Sequence, residues 1–254
     1  MDNLIQWPKA SWWDKAWNTW IGCRKVSPAC DHCWACGWAK RFKKSFEPHP
    51  TPKNPPKSGV VFVGSLTDAF GEWKSREEMG EEIAHCVTRW DNKSARYVWL
   101  TKRPERMIDA LHYVSDRLKH PAHWFKYNYF GFTAENQEWY DKRLGPMLES
   151  IPSWANTWVS VEPLLGPLNL RLDDIDVALM LDGVIVGCES GAGRRPCNIE
   201  WVESIVEQCM SAKVPVFVKQ LSINNKCETD ISKFPAHLQI RQVPWADSEK
   251  GAKE

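Results

Sequence analysis

The chain has 254 residues, a formal net charge of +1 and a hydrophobic fraction of 43%. These values exclude a largely disordered protein and one that attracts nucleic acid through its overall charge. The longest apolar run, 177–187, is interrupted by Asp182 and is shorter than the roughly 20 residues of a membrane-spanning helix. Because the N-terminus has no secretory signal pattern, we expect a cytoplasmic location, where nine cysteines are reduced thiols or metal ligands rather than disulfides.

Four cysteines lie within fourteen positions in the segment GCRKVSPACDHCWACGWAKRF at 22–42. Cys23, Cys30 and Cys33 are spaced C-x6-C-x2-C, and Cys36 extends the run by a further x2. Zinc usually takes paired C-x2-C groups separated by a longer span, or cysteines with histidines, and no second pair follows at such a distance. The tight all-cysteine grouping therefore favours an iron–sulfur cluster, which thiolates alone can ligate.

The number of ligands stays open on these residues alone. Three cysteines would leave one iron of a four-iron, four-sulfur cluster free for a small ligand, whereas Cys36 as a fourth ligand would close the cluster for electron transfer. A zinc site and a site without metal are the other interpretations. Cys36 lies where a helical pattern begins and is equally suited to packing. The remaining cysteines are scattered, and we expect most to be buried small apolar residues: Cys86, Cys188, Cys197, Cys209 and Cys227.

A basic segment follows the cysteines. Between residues 40 and 57, six lysines and arginines accompany a single acidic residue, Glu47, and are interleaved with phenylalanines and prolines. Such a segment can follow the phosphates of a nucleic acid, although a solvated loop has the same composition. Five of the sixteen tryptophans crowd the first twenty residues, where they either cover a sheet edge or stack on bases: Trp7, Trp12, Trp13, Trp17 and Trp20.

Short runs rich in β-branched and aromatic residues recur along the chain and predict strands. They lie at 19–23, 60–65, 96–101, 128–133, 157–162, 183–190 and 215–220. Three segments between them predict helices: 75–90, which opens with Ser75 and acidic residues, 104–118, which opens with proline, and 198–212, which opens with asparagine. Alternating strands and helices predict a parallel sheet, and about seven such steps favour one barrel-like α/β domain.

Polar side chains follow six successive predicted strands. In a parallel α/β barrel these strand ends meet at one face, where functional residues gather. A single polar residue at a strand end is usually a cap, but six in succession indicate a polar cavity, because burial without partners is costly. These residues are Ser65, Asp68, Thr101, Lys102, Arg103, Thr133, Glu135, Asn136, Ser160, Glu162, Glu189, Ser190, Lys219 and Gln220.

The C-terminal part has weak periodicity. We expect residues 1–220 to form the barrel-like domain with its tryptophan-rich N-terminal segment, and 221–245 to pack on that domain, with LQIRQVPW closing its open side. The charged tail 246–254 is predicted to be disordered.

Seven ordered blocks between about residues 17 and 220 together resemble one known family. They are WNTWIGCRKVSPACDHCWA, VFVGSLTDAFGEW, VWLTKRPERM, TAENQ, VSVEPLLGPL, VIVGCESGAGRRP and VPVFVKQ. The sequence resembles the phage-encoded family of proteins similar to radical S-adenosylmethionine (radical-SAM) enzymes. This resemblance implies a partial (βα)6–7 barrel of the triosephosphate-isomerase type, in the host cytoplasm, with a [4Fe-4S] cluster held by Cys23, Cys30 and Cys33. Two features depart from the pattern: most radical-SAM enzymes have C-x3-C-x2-C, and Cys36 stands where no family cysteine is expected.

The resemblance also implies cofactors and residue roles. S-adenosylmethionine would chelate the open iron and, after reduction by a partner such as flavodoxin or ferredoxin, yield methionine and a 5′-deoxyadenosyl radical. By position, the methionine amino group would be held by Ser65 and Asp68, the ribose hydroxyls by Thr133, Glu135 and Asn136, and the adenine would lie against the backbone at Gly187. The candidate catalytic residues left for the substrate are Lys102, Glu162, Glu189 and Lys219, accompanied by Arg103 and Gln220.

A phage origin, the basic segment and the tryptophans favour nucleic acid as the substrate. We expect an isomerase-type rearrangement of a modified pyrimidine, such as a thymidine derivative, in hypermodified phage DNA. The enzyme would flip the nucleotide out of the duplex, with Trp34, Trp38 or Trp73 filling the gap. The alternative is a non-catalytic nucleic-acid-binding protein stabilised by iron–sulfur or zinc. A glycosidase that uses strand-end glutamates is a third interpretation, but it leaves the cysteines unexplained.

Overall fold

The computed structural model describes residues 6–51, 53–88, 94–118, 126–191 and 193–246. The strands are β1 Lys15–Trp17, β2 Trp20–Ile21, β3 His49–Pro50, β4 Gly59–Val63, β5 Ala95–Thr101, β6 Asn128–Thr133, β7 Asn156–Val161, β8 Leu181–Gly187, β9 Val216–Ile223 and β10 Lys226–Glu228. The helices are α1 Trp34–Arg41, α2 Arg76–Val87, α3 Pro104–Leu118, α4 Gln137–Ser150, α5 Ile175–Met180 and α6 Ile199–Ala212. The predicted α/β class with mostly parallel strands is confirmed.

The described residues divide between two compact units. The first contains those of 1–12, 133–141 and 157–254, and the second contains those of 13–132 and 142–156. Among the described residues, no helix is long and apolar enough to cross a membrane. The predicted disordered tail, apart from Ala246, lies outside the described residues.

The second unit is built on parallel strands in the order β1-β4-β5-β6. Val61, Val98 and Phe130 from three of these strands are fully buried. Apolar residues point to both faces of such strands because parallel strands are normally buried on both faces. Trp99 packs on Trp17 and Phe130, with ring centroids 6.2 and 6.0 Å apart. This aromatic core fixes the strands at whose carboxyl ends the cysteine segment lies.

The first predicted strand, 19–23, was placed wrongly. The strand that joins β4 is Lys15–Trp17, with Trp17 opposite Val63, whereas Trp20–Ile21 pairs antiparallel with His49–Pro50 in a separate two-stranded sheet. Trp17 is buried and Trp20 is only half-buried. The strand therefore forms where its aromatic residue reaches the core, a choice that composition alone does not reveal.

The first unit has the strand order β7-β8-β9-β10, with β10 antiparallel to β9. Trp12, Trp158 and Trp245 are buried against one another, with ring centroids 5.2 to 5.7 Å apart. The segment 240–242 pairs with β9 through backbone hydrogen bonds. Of the crowded N-terminal tryptophans, Trp12 and Trp17 are thus core residues, because each buries a large apolar area.

The three predicted helices are confirmed, although the Asn198 side chain forms no capping hydrogen bond at the start of α6. Ser75 and Glu78 form a capping box at the start of α2, Pro104 opens α3, and Asn198 precedes α6. The helices α4 and α5 were not predicted. Pro146 inside α4 hid the helical pattern, because proline normally ends a helix.

Candidate functional site

The cysteine segment runs from the end of β2 into α1. Cys23 follows Gly22, which has a φ of +98°. A Cβ atom at this position would lie 2.5 Å from the backbone of Glu47, so only glycine fits. Cys30 ends a 3-10 turn, and Cys33 is the residue immediately before α1. All three are free, half-buried thiols.

Cys36 lies one turn into α1, three residues after Cys33. It too is a free, half-buried thiol. Residues three apart on a helix share a face, so Cys36 remains a possible fourth ligand.

Cys23 lies beside charged residues that follow β4 and β5. Burial, and then the negative charge of Asp68, raise the pKa of its thiol to about 12, while the positive charges of Arg103 and Lys102 oppose the rise. The charge of Cys30 also acts on it, so two of the three cysteines lie close together. A metal ion that binds Cys23 must displace its proton, and binding therefore releases protons to solvent.

Asp68 is buried at the carboxyl end of β4 and is already engaged by the protein. Its Oδ1 accepts hydrogen bonds from Thr101 Oγ1 at 2.6 Å and Phe70 N at 3.0 Å. Its Oδ2 accepts from Arg103 Nη1 at 2.9 Å and Lys102 N at 3.1 Å. Four donors thus surround the carboxylate that the sequence assigned to a methionine amino group. Through these hydrogen bonds, Asp68 joins the loop that follows β4 to the loop that follows β5.

Arg103 extends this network toward the cysteines. Besides Asp68, its guanidinium donates to Glu72 Oε1 at 2.8 Å and to the carbonyl of Arg24 at 3.2 Å, and it lies over the ring of Trp73. Burial lowers its pKa, but the hydrogen bond to Glu72 and the charge of Asp68 outweigh burial and hold the pKa above its ordinary value. Arg103 is therefore a fixed cation next to the residue that follows Cys23.

A buried lysine supports the loop that carries Asp68. Lys74 Nζ donates to the carbonyl of Ala69 at 2.9 Å and pairs with Glu82, which also accepts from Thr19. Burial lowers the pKa of Lys74, and the charge of Glu82 opposes this. Lys74 is not among the predicted site residues, because its role depends on a contact with Glu82 of α2 that no local pattern reveals. Ser65, on the same loop, accepts a hydrogen bond from Asn18 Nδ2 at 3.0 Å.

In the first unit, Glu162 and Lys219 come together. Their Oε1 and Nζ atoms lie 2.7 Å apart, and Ser160 Oγ donates to the other carboxylate oxygen at 3.2 Å. A Cβ atom on Gly187 would lie 3.2 Å from Glu162 Oε1 and 3.1 Å from Gln220 Cγ. The absence of a side chain at Gly187 therefore makes room for these two protein groups. The resemblance implies that the Gly187 backbone contacts adenine, and this role stays a prediction.

The remaining predicted residues have other partners. Glu189 is buried and accepts hydrogen bonds from Arg195 N at 2.8 Å and Arg195 Nε at 3.1 Å. Asn136 Oδ1 accepts from Trp139 N at 3.1 Å, as a residue capping α4 does. Thr133 and Glu135 are buried. Arg195 was not predicted as a site residue. The basic GRRP sequence shortly after Glu189 is the local pattern that points to it.

A solvent-exposed aromatic face lies on α1, in the second unit. Trp34 and Phe42 are 54% and 56% exposed, and Trp38 lies between them, 5.5 Å from the Phe42 ring. These residues repeat every fourth position and share one side of the helix. Lys44 Nζ lies 5.2 Å from the centre of the Trp38 ring. We call Trp34, Trp38, Phe42 and Lys44 the α1 face.

No group of three or more His, Cys, Asp or Glu side chains in the described ranges forms a site for a metal ion. Thiolates that ligate different irons of a cluster do not meet at one ion, so their arrangement differs from that of a mononuclear site.

A family model described as Protein of unknown function (DUF5131) matches residues 8–242. The chain belongs to the DUF5131 family. The match includes the cysteine segment, the α1 face and every strand-end residue discussed above, so both groups of charged residues lie within the family's matched region. Comparison of this DUF5131 protein with curated proteins and with solved structures gave no match.

Proposed function

We propose that this DUF5131 protein is a radical S-adenosylmethionine enzyme that acts on nucleic acid. The observation that carries the proposal is the position of Cys23, the first cysteine of the motif, beside Asp68 and Arg103 at the carboxyl ends of β4 and β5. Ligands of parallel α/β proteins bind outside these strand ends. The proposal includes the finer fold assignment, a partial (βα)6–7 barrel of the triosephosphate-isomerase type.

The donor set suits a [4Fe-4S] cluster. Cys23, Cys30 and Cys33 are free thiols on one short segment, and all-thiolate donors are typical of iron–sulfur clusters. When bound, the cluster supplies one-electron reduction of S-adenosylmethionine, with the electron coming from a partner such as flavodoxin or ferredoxin. Burial and Asp68 raise the pKa of the Cys23 thiol, and the positive charges of Arg103 and Lys102 offset part of this rise. Binding of the cluster would therefore supply most of the stabilisation of the Cys23 thiolate.

The chain's own residues then bind, orient and move protons. The half-buried Ser65 hydroxyl is the candidate for the methionine end of S-adenosylmethionine, held in place by the Asp68 network, and Thr133, Glu135, Asn136 and the Gly187 backbone remain candidates for its ribose and adenine. Glu162 and Lys219, an ion pair 2.7 Å apart, suit proton transfer at a substrate. Lys102 completes the proposed substrate residues, and Glu189, which is buried against Arg195, is proposed to support them from behind.

The α1 face supports a nucleic-acid substrate. Exposed aromatic rings stack on bases, and basic residues at the end of α1, Lys40 and Arg41, suit phosphates. A modified pyrimidine in phage DNA, such as a thymidine derivative rearranged after base flipping, is the substrate we propose.

Anaerobic reconstitution tests the cluster. The wild type should contain about four irons and four sulfides per chain, absorb in the visible region, and release 5′-deoxyadenosine when reduced with S-adenosylmethionine. Cys23→Ala should lose both iron and product. Cys36→Ala should retain them if three cysteines ligate the cluster, and Cys209→Ala serves as a buried-thiol control. Iron-free or zinc-loaded wild-type protein after reconstitution would refute the proposal.

The second candidate is a non-catalytic nucleic-acid-binding protein, which the α1 face favours because stacking and phosphate contacts require no chemistry. Anisotropy titrations with single-stranded and duplex oligonucleotides separate the two functions. Trp34→Ala and Phe42→Ala should each weaken binding by about 1–3 kcal/mol, while Leu179→Ala, which removes a 77% exposed side chain from α5, should not. Binding without 5′-deoxyadenosine formation would favour the second candidate, and equal binding by all variants would exclude the α1 face.

A further inference from the structure

Two cysteines far apart in the sequence meet in the first unit. The Sγ atoms of Cys188 and Cys227 lie 3.8 Å apart. Cys188 directly follows β8, and its N–H donates to the carbonyl of Gln220 in β9. Cys227 is the middle residue of β10 and lies opposite Ser222 of β9. The two thiols are therefore held together by the backbone of three neighbouring strands.

The two thiols differ in exposure and charge. Cys188 is buried, whereas Cys227 is half-buried. The hydrogen bond from Cys188 lowers the pKa of Cys227 to about 7, and the positive charges of Arg194 and Lys219 add to this effect, against burial and the charge of Glu228. The same hydrogen bond, with burial, raises the pKa of Cys188. The shared proton thus stays on Cys188, and Cys227 is the nucleophile of the pair.

Cys227 is partly exposed to solvent, and a cavity lies next to the hairpin that carries it. An open cavity of about 660 Å³ is lined by Arg194, Cys197 and Ser222, the β9 residue opposite Cys227. The hairpin that carries Cys227 turns through Asn224 and Asn225, both with positive φ, and β10 is only three residues long. A disulfide requires an S–S distance of about 2.05 Å, and a short outer strand can make this movement more readily than a central one.

We infer that Cys188 and Cys227 form a redox-active dithiol that glutathione disulfide converts to an intramolecular disulfide. The Cys227 thiolate attacks one sulfur of glutathione disulfide and releases one glutathione thiolate. Cys188 then loses its proton and attacks the Cys227 sulfur of the mixed disulfide, which releases the second glutathione. Two cysteine thiols are oxidised, and one glutathione disulfide is reduced to two glutathione thiols.

The conversion changes the charge beside the ion pair of Glu162 and Lys219. Lys219 interacts both with Glu162 at 2.7 Å and with the Cys227 thiolate. A disulfide carries no charge, so oxidation removes one of the two negative partners of Lys219. The redox state of the dithiol therefore alters the electrostatics around Glu162 and Lys219.

Peptide mapping of the full chain tests the inference. Reduced protein, desalted without oxygen, is equilibrated with glutathione buffers of increasing potential, blocked with N-ethylmaleimide and digested. The linked Cys188–Cys227 peptide should form, should disappear in Cys227→Ser, and should persist in Cys209→Ser, the buried-thiol control. If the linked peptide is missing from oxidised wild type, or if Cys188 links mainly to Cys197, the inference is wrong.

Alkylation rates test which thiol is the nucleophile. At pH 7 about half of Cys227 is thiolate, whereas an ordinary thiol with a pKa near 8.5 is about 3% thiolate. A thiol of higher pKa is intrinsically more nucleophilic, which offsets part of this difference. Cys188→Ala, which removes the donor, should therefore slow iodoacetamide labelling of Cys227 roughly threefold. An unchanged rate, measured on the Cys227 peptide, would show that Cys188 does not activate its neighbour.

Discussion

Replacing Arg103 with methionine tests the buried ion pair at the ends of β4 and β5. Arg103 is 6% exposed, and the substitution removes its hydrogen bonds to Asp68, Glu72 and the Arg24 carbonyl. Methionine keeps an apolar stem against Trp73, so the change removes charge and hydrogen bonds more than volume. The Asp68 carboxylate then stays buried without its cation.

Removing one partner of a buried ion pair costs about 3–5 kcal/mol. Asp68 keeps three donors, from Phe70, Thr101 and Lys102, so we expect the lower end of this range. A loss of about 3 kcal/mol corresponds to a roughly 140-fold larger opening constant at 25 °C.

The matched control is Arg76→Met. Arg76 forms an exposed ion pair with Asp109 at 2.8 Å, with 40% and 54% of the two side chains exposed. Such pairs contribute about 0–1 kcal/mol. Hydrogen exchange of peptides from β4 and β5 measures the opening free energy directly. If Arg103→Met lowers this free energy no more than Arg76→Met, the ion pair does not hold these strand ends.

Two further predictions concern the first unit. Gly187→Ala places a Cβ atom against Glu162 and Gln220 and should destabilise the protein by about 1–3 kcal/mol, whereas the control Gly37→Ala, whose Cβ atom meets nothing within 4 Å in α1, should stabilise it slightly in thermal unfolding. Burial raises the pKa of Asp182 above its ordinary value of 3.8, so its contribution to stability is present at low pH and is lost as pH rises through the folded-state pKa. As pH rises from 3 to 7, the melting temperature of Asp182→Asn should therefore rise relative to that of the wild type. A difference in melting temperature that does not change with pH would contradict this.

The regular part of the fold could be predicted because its signals are local. The segments 60–65, 96–101 and 128–133 are β-branched or aromatic runs, and the structure has strands within two residues of each. The first strand could not be placed, because 15–17 and 19–23 are both tryptophan-containing segments and only the depth of the core beneath Trp17 separates them.

The residue types of the candidate site were predicted, but their pairings were not. Local patterns predicted Glu162, Glu189 and Lys219 at strand ends. This is wrong for Lys219, because β9 continues to Ile223 and Lys219 lies inside the strand. Which carboxylate meets which cation depends on distances across neighbouring strands and on the loop that returns Arg195 to Glu189. The contact of Cys188 with Cys227 was missed for the same reason, since 39 positions separate them.

The same physical rule explains why several predicted ligands are held by protein partners. A buried carboxylate is unstable without a cation or several hydrogen-bond donors, and Asp68 and Glu189 each form an ion pair with an arginine of their own unit. A substrate gains most from side chains that the fold leaves accessible. By this reasoning Lys219, 33% exposed in its pair with Glu162, is a better candidate for direct substrate contact than Glu189, whose side chain is 4% exposed. Removal of the Glu189 charge should therefore act mainly on stability, and removal of the Lys219 charge mainly on turnover.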